Sequence, residues 1–364
     1  MSDPYSSQDK TSDLFTALRT PVPAFSEQQA TEFLREHYGI VASLEPLASE
    51  RDQNFLACAA DGDKYVLKFA NTYESAAITD FQVQGLLHVA RVDPDFPVPR
   101  VITTDDGELM FEVESEAGTA HRVRLLSWLE GVPLQHAKGV DSVARQTGAC
   151  LARLGVALRD FSHPASDYPL LWDIRNAASL EQLLPHVRDR DLRKLCEQRL
   201  GRFRVVVEPR LDRLRSQVIH NDMNPSNLLV DQSDVNRVTG VIDFGDMVFS
   251  RLVNDAAVAA AYFCRVAEDP FEEVVKFLDA YTERLPLTED EVAVLPDMIL
   301  TRHLTTVMIT HWRASMYPDN ANYILRSEPR ARQILSLVAS LGIDGTVDRF
   351  LDVCRPGARQ EATI

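Results

Sequence analysis

Three polar residues in the second half of the chain have side-chain types and a spacing that suit phosphoryl transfer. Asp222 follows the apolar run 218–220, Asn227 comes five residues later, and Asp243 follows a second apolar run, 238–242. One Asp can orient and deprotonate an attacking hydroxyl, while an Asn and a second Asp hold Mg²⁺ against nucleotide phosphates. Mg²⁺ prefers hard oxygen ligands and takes few of them from protein. We therefore predict that Asp222 is catalytic and that Asn227 and Asp243 bind Mg²⁺ with ATP or GTP.

Two motifs carry these residues, HNDMNPSN at 220–227 and IDFGD at 242–246. Either motif alone could be an Asx turn after a core strand, but two motifs in register favour the catalytic interpretation. Together they resemble the aminoglycoside phosphotransferase and choline kinase family of small-molecule kinases. The family reads His-Gly-Asp-Leu where this chain has Asn221 in place of the glycine, a departure that leaves both acidic groups present.

The resemblance implies an α+β, bilobal protein-kinase-like fold, with an antiparallel sheet in the small lobe and a mostly helical large lobe. We expect an N-terminal extension at 1–25, a small nucleotide-binding lobe at 26–126, a large catalytic and substrate-binding lobe at 127–355 and a tail at 356–364. A length of 364 residues is sufficient for two such lobes.

The elements that must position the motifs can be predicted from periodicity and turn residues. An Asp-Gly at 61–62 between apolar runs predicts a hairpin of strands 54–60 and 64–70, after a strand near 40–48. Ser26 predicts a helix N-cap, and Gly39 its stop. Further helices are expected at about 12–19, 75–89, 141–159, 177–208, 254–266, 271–283 and 289–310. Asp255 either caps the helix that it begins or, as the resemblance implies, braces the catalytic loop from behind.

The nucleotide-binding residues follow from the resemblance. Lys68, near the end of the second hairpin strand, is expected to hold the phosphates, although a strand lysine alone is more often solvent-exposed. The preceding turn, 49–55, contains no glycine, so polar groups such as Asn54 would cover the phosphates. Backbone groups of Ser127 and Leu129 match the hinge that binds the purine.

The carboxylate partner of Lys68 stays open at this stage. The family position on the next helix is Gln82, which cannot form an ion pair, although its amide oxygen could accept a hydrogen bond. Glu74 and Asp80 are the acids available nearby.

Three short segments narrow the resemblance to the hydroxylysine kinase branch, namely DQNF at 52–55, LWD at 171–173 and GDM at 245–247. The branch implies transfer of a γ-phosphoryl group to 5-hydroxylysine or a related amino alcohol. Aminoglycoside, choline, ethanolamine and homoserine substrates stay open. Asp246 and Asp173 could bind a substrate ammonium, or simply cap loops. Arg302 and Arg313 could bind a substrate carboxylate, or lie on a solvated helix face.

Composition excludes several other classes of protein. A formal net charge of −16 argues against nucleic acid or an anionic membrane as partner and is compatible with a cationic or zwitterionic small substrate. Five dispersed cysteines and the lack of a signal-like N-terminus indicate a cytoplasmic protein, and no apolar run approaches the ~20 residues of a spanning helix. A non-catalytic pseudokinase, as scaffold or nucleotide sensor, is the alternative of another class. A Ser/Thr protein kinase is disfavoured because no Ala-Pro-Glu segment follows Asp243.

Overall fold

The computed structural model describes residues 14–15, 20–49, 51–137 and 143–355. It divides into two compact units. The sheet unit contains residues up to 131 together with 163–169 and 239–245, and the helical unit contains 132–162, 170–238 and the chain from 246 onward. The segment that carries Asp243 thus belongs to the sheet unit, although it follows the loop of Asp222 in sequence. The domain boundaries near 126 and 355 stay a prediction.

The sheet unit is built on an antiparallel sheet with strand order β1-β2-β3-β6-β4, in which β5 also pairs with β6. Its strands are β1 (Ala42–Leu47), β2 (Gln53–Ala59), β3 (Lys64–Phe69), β4 (Val101–Ile102), β5 (Phe111–Glu114) and β6 (Ala120–Ser127). The predicted hairpin is confirmed as β2 and β3, and Gly62 in its turn has a φ of 98°, which glycine adopts without steric cost. The register pairs Asn54 with Lys68 and Lys68 with Arg124, so the sequence alternation decides which polar side chains are neighbours.

Two helices accompany this sheet. The first, Glu27–Tyr38, has the predicted Ser26 cap, closed by Gln29 as a capping box, and ends at Gly39 with a φ of 62°. The second, Ala76–Val92, is capped by the Ser75 side chain and is close to the predicted span 75–89. Of the predicted helix 12–19, only residues 14 and 15 lie within the described residues.

The helical unit contains two short antiparallel strand pairs and a set of helices. β7 (Val132–Pro133) pairs with β9 (Leu228–Val230), and β8 (Ser216–Ile219) pairs with β11 (Val248–Arg251); β10 (Val238–Val241) begins in this unit. The longer helices are Ala144–Ala157, Arg190–Arg202, Leu252–Ala261, Glu272–Thr282, Glu289–Met316, Glu328–Leu341 and Thr346–Cys354. The predicted cap at Asp141 lies outside the described residues. Gly148 permits a close helix pair, since a Cβ there would lie 2.2 Å from the carbonyl oxygen of Phe277.

Two helix predictions need correction. The single helix expected at 177–208 is instead a 3₁₀ segment, Ile174–His186, followed by the α-helix Arg190–Arg202 and two short helical turns. Pro185 cannot donate to a continuing helix, and Asp189 starts the next one by accepting hydrogen bonds from two backbone amides. The helix expected at 254–266 runs instead from Leu252 to Ala261.

The longest helix, Glu289–Met316, extends beyond its predicted end at 310. Contrary to the sequence-based expectation, it is long and apolar enough to cross a membrane by length and composition, but 89% of its most apolar window is buried within the protein. Burial of this kind is typical of the core helix of a soluble protein. Most of its residues are buried, and Arg302 is one of them.

Candidate active site

The loop 220–227, which carries the predicted catalytic Asp222, follows β8 at Ile219 through a backbone conformation that few residues adopt. Asn221 has a φ of 63°, in the left-handed region, where glycine is most comfortable and asparagine is the most tolerant of the other residues. This explains how the chain accepts Asn at the family's glycine position. The buried His220 ring then accepts a hydrogen bond from the Asp222 amide at 3.2 Å, which directs the loop toward Asn227.

The carboxylate of Asp222 is held on both of its oxygens. Oδ2 accepts hydrogen bonds from the side-chain amides of Asn227 at 2.8 Å and Asn224 at 2.9 Å, and Oδ1 accepts one from Arg302 at 2.9 Å. The side chain keeps 19% of its surface exposed, so a small molecule can reach it. Because the Asn227 amide nitrogen donates to Asp222, its oxygen is the atom that could face a cation. This donor set fits the predicted role of Asn227 as a Mg²⁺ ligand.

Asp255 supports the loop that carries Asp222 by binding its backbone. Its two carboxylate oxygens accept hydrogen bonds from the backbone amides of His220 at 3.3 Å and Asn221 at 2.8 Å. Since Asp255 lies inside the helix Leu252–Ala261 and not before it, the bracing role is confirmed over the N-cap alternative. Burial raises the pKa of Asp255 to about 6, although the two amides oppose this shift.

Lys68 has carboxylate partners that sequence reasoning did not identify. Among the described residues, its Nζ lies 3.8 Å from Asp52 Oδ2 and 4.0 Å from Asp243 Oδ1, and neither Glu74 nor Asp80 comes within 4.0 Å. Its side chain is 12% exposed. Asp52 belongs to the turn that replaces a glycine-rich loop, so this turn, and not the following helix, supplies an acid next to Lys68.

Gln82 occupies the expected helix position but binds other groups. Its amide oxygen accepts a hydrogen bond from Arg124 at 2.8 Å, and its amide nitrogen donates to Glu74 at 3.2 Å and to the Gly245 carbonyl at 3.3 Å. Arg124 also lies 3.8 Å from Asp52. Burial, reinforced by the charge of Asp52, raises the pKa of Glu74 to about 7. A buried polar cluster therefore stands where a single lysine–glutamate pair is expected.

Asp243 combines an unusual backbone with an accessible side chain. Its φ is 63°, its Oδ1 accepts a hydrogen bond from the Gly245 amide at 3.3 Å, and its side chain is 53% exposed. A cavity beside it is lined by Lys68, Gln82, Leu86, Pro99, Arg124, Leu126, Asp243, Phe244 and Gly245. An accessible carboxylate next to a lysine fits a group that binds a metal–phosphate complex.

The predicted purine-binding segment follows β6. The Ser127 amide already donates to the Arg100 carbonyl at 2.8 Å, and the Trp128 amide donates to Lys64 at 3.0 Å. These bonds occupy the amides of Ser127 and Trp128, and the predicted purine contacts of Ser127 and Leu129 stay a prediction. Asn54 lies within β2, directly across from Lys68, and its buried amide oxygen has no hydrogen-bond partner among the described residues.

Of the two acids predicted to bind a substrate ammonium, Asp173 binds groups of the protein itself. It is fully buried, caps the 3₁₀ segment through the Arg175 amide, and accepts hydrogen bonds from Ser250 at 2.9 Å and Asn254 at 2.6 Å. An ion pair with Arg175 completes this environment, so we do not retain Asp173 as a substrate residue. Asp246 lies in the turn Phe244–Asp246 and is 9% exposed.

The two arginines predicted to bind a substrate carboxylate cannot act together. They lie on one helix, eleven residues and therefore about 16 Å apart along its axis. The Arg302 side chain points at Asp222, which corrects the expectation that it faces the substrate. Arg313 is half-buried near the end of the helix, and its substrate role stays a prediction.

Sequence reasoning missed Asp52, Arg124 and the surroundings of Arg302. The register of β3 and β6 places Arg124 beside Lys68, a signal that strand alternation could have revealed once the pairing was known. The contact between Arg302 and Asp222 spans 80 residues, and no local pattern encodes it.

Comparison with known proteins agrees with this geometry. Residues 43–289 match the family described as "Phosphotransferase enzyme family". Hydroxylysine kinase of Mus musculus is 27% identical over 324 residues, covering 83% of this chain and 86% of that protein. Homoserine kinase of Methylobacillus flagellatus is 27% identical, covering 75% and 81%.

Solved structures show the same fold. A microcompartment-associated aminopropanol kinase superposes with a TM-score of 0.61 at 20% identity, covering 90% of this chain and all of that one. An amicoumacin kinase superposes with a TM-score of 0.63 at 16% identity, covering 82% and 93%. The predicted α+β protein-kinase-like fold is therefore confirmed. Because the family match covers more than half of its length, the chain belongs to the phosphotransferase enzyme family and is a small-molecule kinase.

Proposed function

We propose that this kinase transfers the γ-phosphoryl group of ATP or GTP to the hydroxyl of an amino acid or amino alcohol, with 5-hydroxylysine as the first candidate substrate. The observation that carries the proposal is the pairing of Lys68 and Asp243. A lysine and an accessible acid 4.0 Å apart, lining one cavity, are the groups that a metal-bound nucleotide phosphate requires.

In this proposal each residue has one role. Asp222 orients the substrate hydroxyl and takes its proton as the oxygen attacks the γ-phosphorus, and the bond from that phosphorus to the β–γ bridging oxygen breaks. Lys68 binds the nucleotide phosphates, and the base lies against Ser127 and Leu129. Mg²⁺, held by Asn227 and Asp243, would neutralise charge on the phosphates. Most of the rate enhancement would come from positioning and charge neutralisation.

The choice of substrate class is supported by the relatives. The hydroxylysine kinases and homoserine kinases that this chain resembles have names that specify hydroxylated amino acids. A net charge of −16 is compatible with a cationic or zwitterionic substrate. Homoserine, aminoglycosides, choline and ethanolamine are the alternative acceptors. Asp246 and Arg313 are the remaining candidates for contact with substrate charge.

One observation favours a second function, that of a non-catalytic nucleotide sensor. Gln82 replaces the expected glutamate, and its amide binds Arg124 and not Lys68. The presence of Asp222, Asn227, Asp243 and Lys68 outweighs this replacement. We also propose a cytoplasmic location, because all five cysteines are free.

The test is a nucleoside-diphosphate release assay with Mg-ATP and Mg-GTP. The acceptor panel contains 5-hydroxylysine, homoserine, aminopropanol, ethanolamine, choline and kanamycin, with mass spectrometry to identify the phosphorylated product. Turnover on 5-hydroxylysine that is lost in Asp222→Asn supports the proposal. Asp80→Asn is a matched control, because this carboxylate binds His163 and Gln84.

Three outcomes separate the alternatives. Turnover on another acceptor, lost in the same variant, would retain the reaction and replace the substrate. Nucleotide binding without turnover on any acceptor would favour the sensor. Full activity of Asp222→Asn would refute the catalytic assignment.

A further inference from the structure

Arg302 is a buried cation in direct contact with the proposed catalytic carboxylate. Its side chain is 5% exposed, and Nη2 donates to Asp222 Oδ1 at 2.9 Å and to the Tyr262 hydroxyl at 3.3 Å. The guanidinium carbon lies 4.8 Å from the centre of the Trp172 ring. These contacts fix the plane of the guanidinium by a hydrogen bond at one end and a ring on its face.

Burial of the Arg302 guanidinium has a desolvation cost, and its hydrogen bonds offset only part of that cost. Nε and Nη1 are buried and have no hydrogen-bond partner among the described residues. Burial alone would lower the pKa of Arg302, but Tyr262, Asp222 and Asp246 around it outweigh that effect and raise it, so the group stays charged. Buried ion pairs are weak sources of stability, and an apolar side chain often serves a core equally well. The arrangement therefore points to a role beyond packing.

The consequence for Asp222 is a carboxylate fixed from two sides. Arg302 binds Oδ1, while Asn224 and Asn227 bind Oδ2. Asp255 restrains the loop backbone, but only side-chain contacts can stop rotation of the carboxylate itself. Arg302 comes from a rigid core helix, so it relates the orientation of Asp222 to an element outside the loop.

We propose that Arg302 is a positioning residue for phosphoryl transfer, which holds Asp222 Oδ1 in the orientation that receives the substrate hydroxyl. The proposal rests on the catalytic role of Asp222 proposed above. In this proposal the Leu-Trp-Asp segment at 171–173 supports Arg302. Trp172 packs on the guanidinium and keeps it against Asp222, while Asp173 anchors the segment through Ser250 and Asn254.

The experiment compares Arg302→Lys and Arg302→Met with the same substitutions at Arg215. Arg215 is the control because it pairs with the fully buried Glu291 on the same long helix, at 2.9 Å from Nε, and does not contact Asp222 in the described residues, although its own side chain is 46% exposed. Steady-state kcat and the KM for Mg-ATP are measured with the best acceptor. Thermal unfolding reports the loss of stability in each variant.

We expect Arg302→Met to lower kcat by about 10- to 100-fold, since a misplaced catalytic group costs rate without weakening nucleotide binding. The KM for Mg-ATP should stay within about twofold, and Arg302→Lys should recover part of kcat because it keeps the charge. The Arg215 variants should keep kcat within about twofold even though they leave the buried Glu291 without its partner. If Arg302→Met does not fold, Arg302→Lys provides the comparison.

Two results would overturn the proposal. One is a kcat for the Arg302 variants no lower than that of the Arg215 variants, and the other is a loss confined to KM. Asp222→Asn, measured in parallel, separates the two levels of inference. If it abolishes turnover while the Arg302 variants stay active, only the positioning role fails; if it stays active, the proposed function fails first.

Discussion

Replacing Asp52 with asparagine tests whether the turn before β2 supplies the acid that orients Lys68. The substitution keeps the side-chain shape and removes one charge, 3.8 Å from Lys68 Nζ and 3.8 Å from Arg124. The Asp52 Oδ1 atom also accepts a hydrogen bond from the Asn71 amide at 3.1 Å, which an asparagine oxygen can preserve. The change therefore isolates the charge.

The magnitude follows from the distances. Two unit charges 4 Å apart interact by about 4 kcal/mol at an effective dielectric constant near 20. Part of this is lost because Asp243, at 4.0 Å, competes for Lys68. A remainder of roughly 1–2 kcal/mol corresponds to about a 5- to 30-fold weaker binding of Mg-ATP. Without Asp52, Lys68 would be drawn toward Asp243 and would mask the carboxylate proposed to bind metal.

The assay is isothermal titration of Mg-ATP, supported by the KM for Mg-ATP in turnover. Asp80→Asn is the control, because sequence reasoning considered this acid and it does not lie within 4.0 Å of Lys68 among the described residues. The reasoning would be refuted if Asp52→Asn bound Mg-ATP as tightly as the unmodified protein, or if Asp80→Asn weakened binding equally.

Two further predictions concern the loop 220–227 and the residue that supports it. The free energy of unfolding of Asn221→Gly should lie within about 1 kcal/mol of that of the unmodified protein, because glycine accepts a φ of 63° and the lost side-chain amide has no partner among the described residues. Asn221→Ala should be about 1–2 kcal/mol less stable than Asn221→Gly, because alanine does not adopt this φ without strain. Urea unfolding measures both, and equal stability of the Ala and Gly variants would contradict the role of the backbone angle. Asp255 has its pKa raised to about 6 in the folded protein, against about 3.9 in an unfolded chain, so the folded state binds the extra proton between those values and loses stability as pH rises through them. The stability of the unmodified protein relative to Asp255→Asn should therefore fall by about 2 kcal/mol between pH 4 and 6; a difference that does not change over this range would exclude the shift.

Much of the architecture was predictable because local chemistry decides it. The hairpin follows from Asp61-Gly62 between alternating strands, and the first helix from a Ser26 cap and a Gly39 stop. The failure at 177–208 has an equally local cause. Apolar periodicity continues through the segment, but Pro185 interrupts the hydrogen bonds and Asp189 starts a new helix. Here the breaking residues outweighed the periodicity.

The residue types of the site were predictable, and their partners were not. Lys68 could be found from its strand, but its acid was sought on the following helix, as in a lysine–glutamate pair. In this chain the acid is Asp52 on the turn, and the helix has Gln82, whose side-chain amide binds Arg124 and Glu74. An acid on the turn and an amide on the helix give the region the same residue types as the opposite arrangement, so composition does not distinguish them. Only the register of β2, β3 and β6 shows which residues lie beside Lys68.

Arg302 illustrates the same limit for Asp222, the proposed catalytic residue. Its position in an apolar helix suggested either a solvated face or a substrate ligand, since exposed arginines are common. The structure gives a third arrangement, in which the cation is buried by Trp172 and directed at Asp222. A charge in a core helix is costly unless a group of opposite charge lies next to it. An arginine within an apolar helix sequence therefore predicts an acidic partner elsewhere in the chain. In this protein that acid is the proposed catalytic group, which is why the orientation of Asp222 depends on a residue 80 positions away.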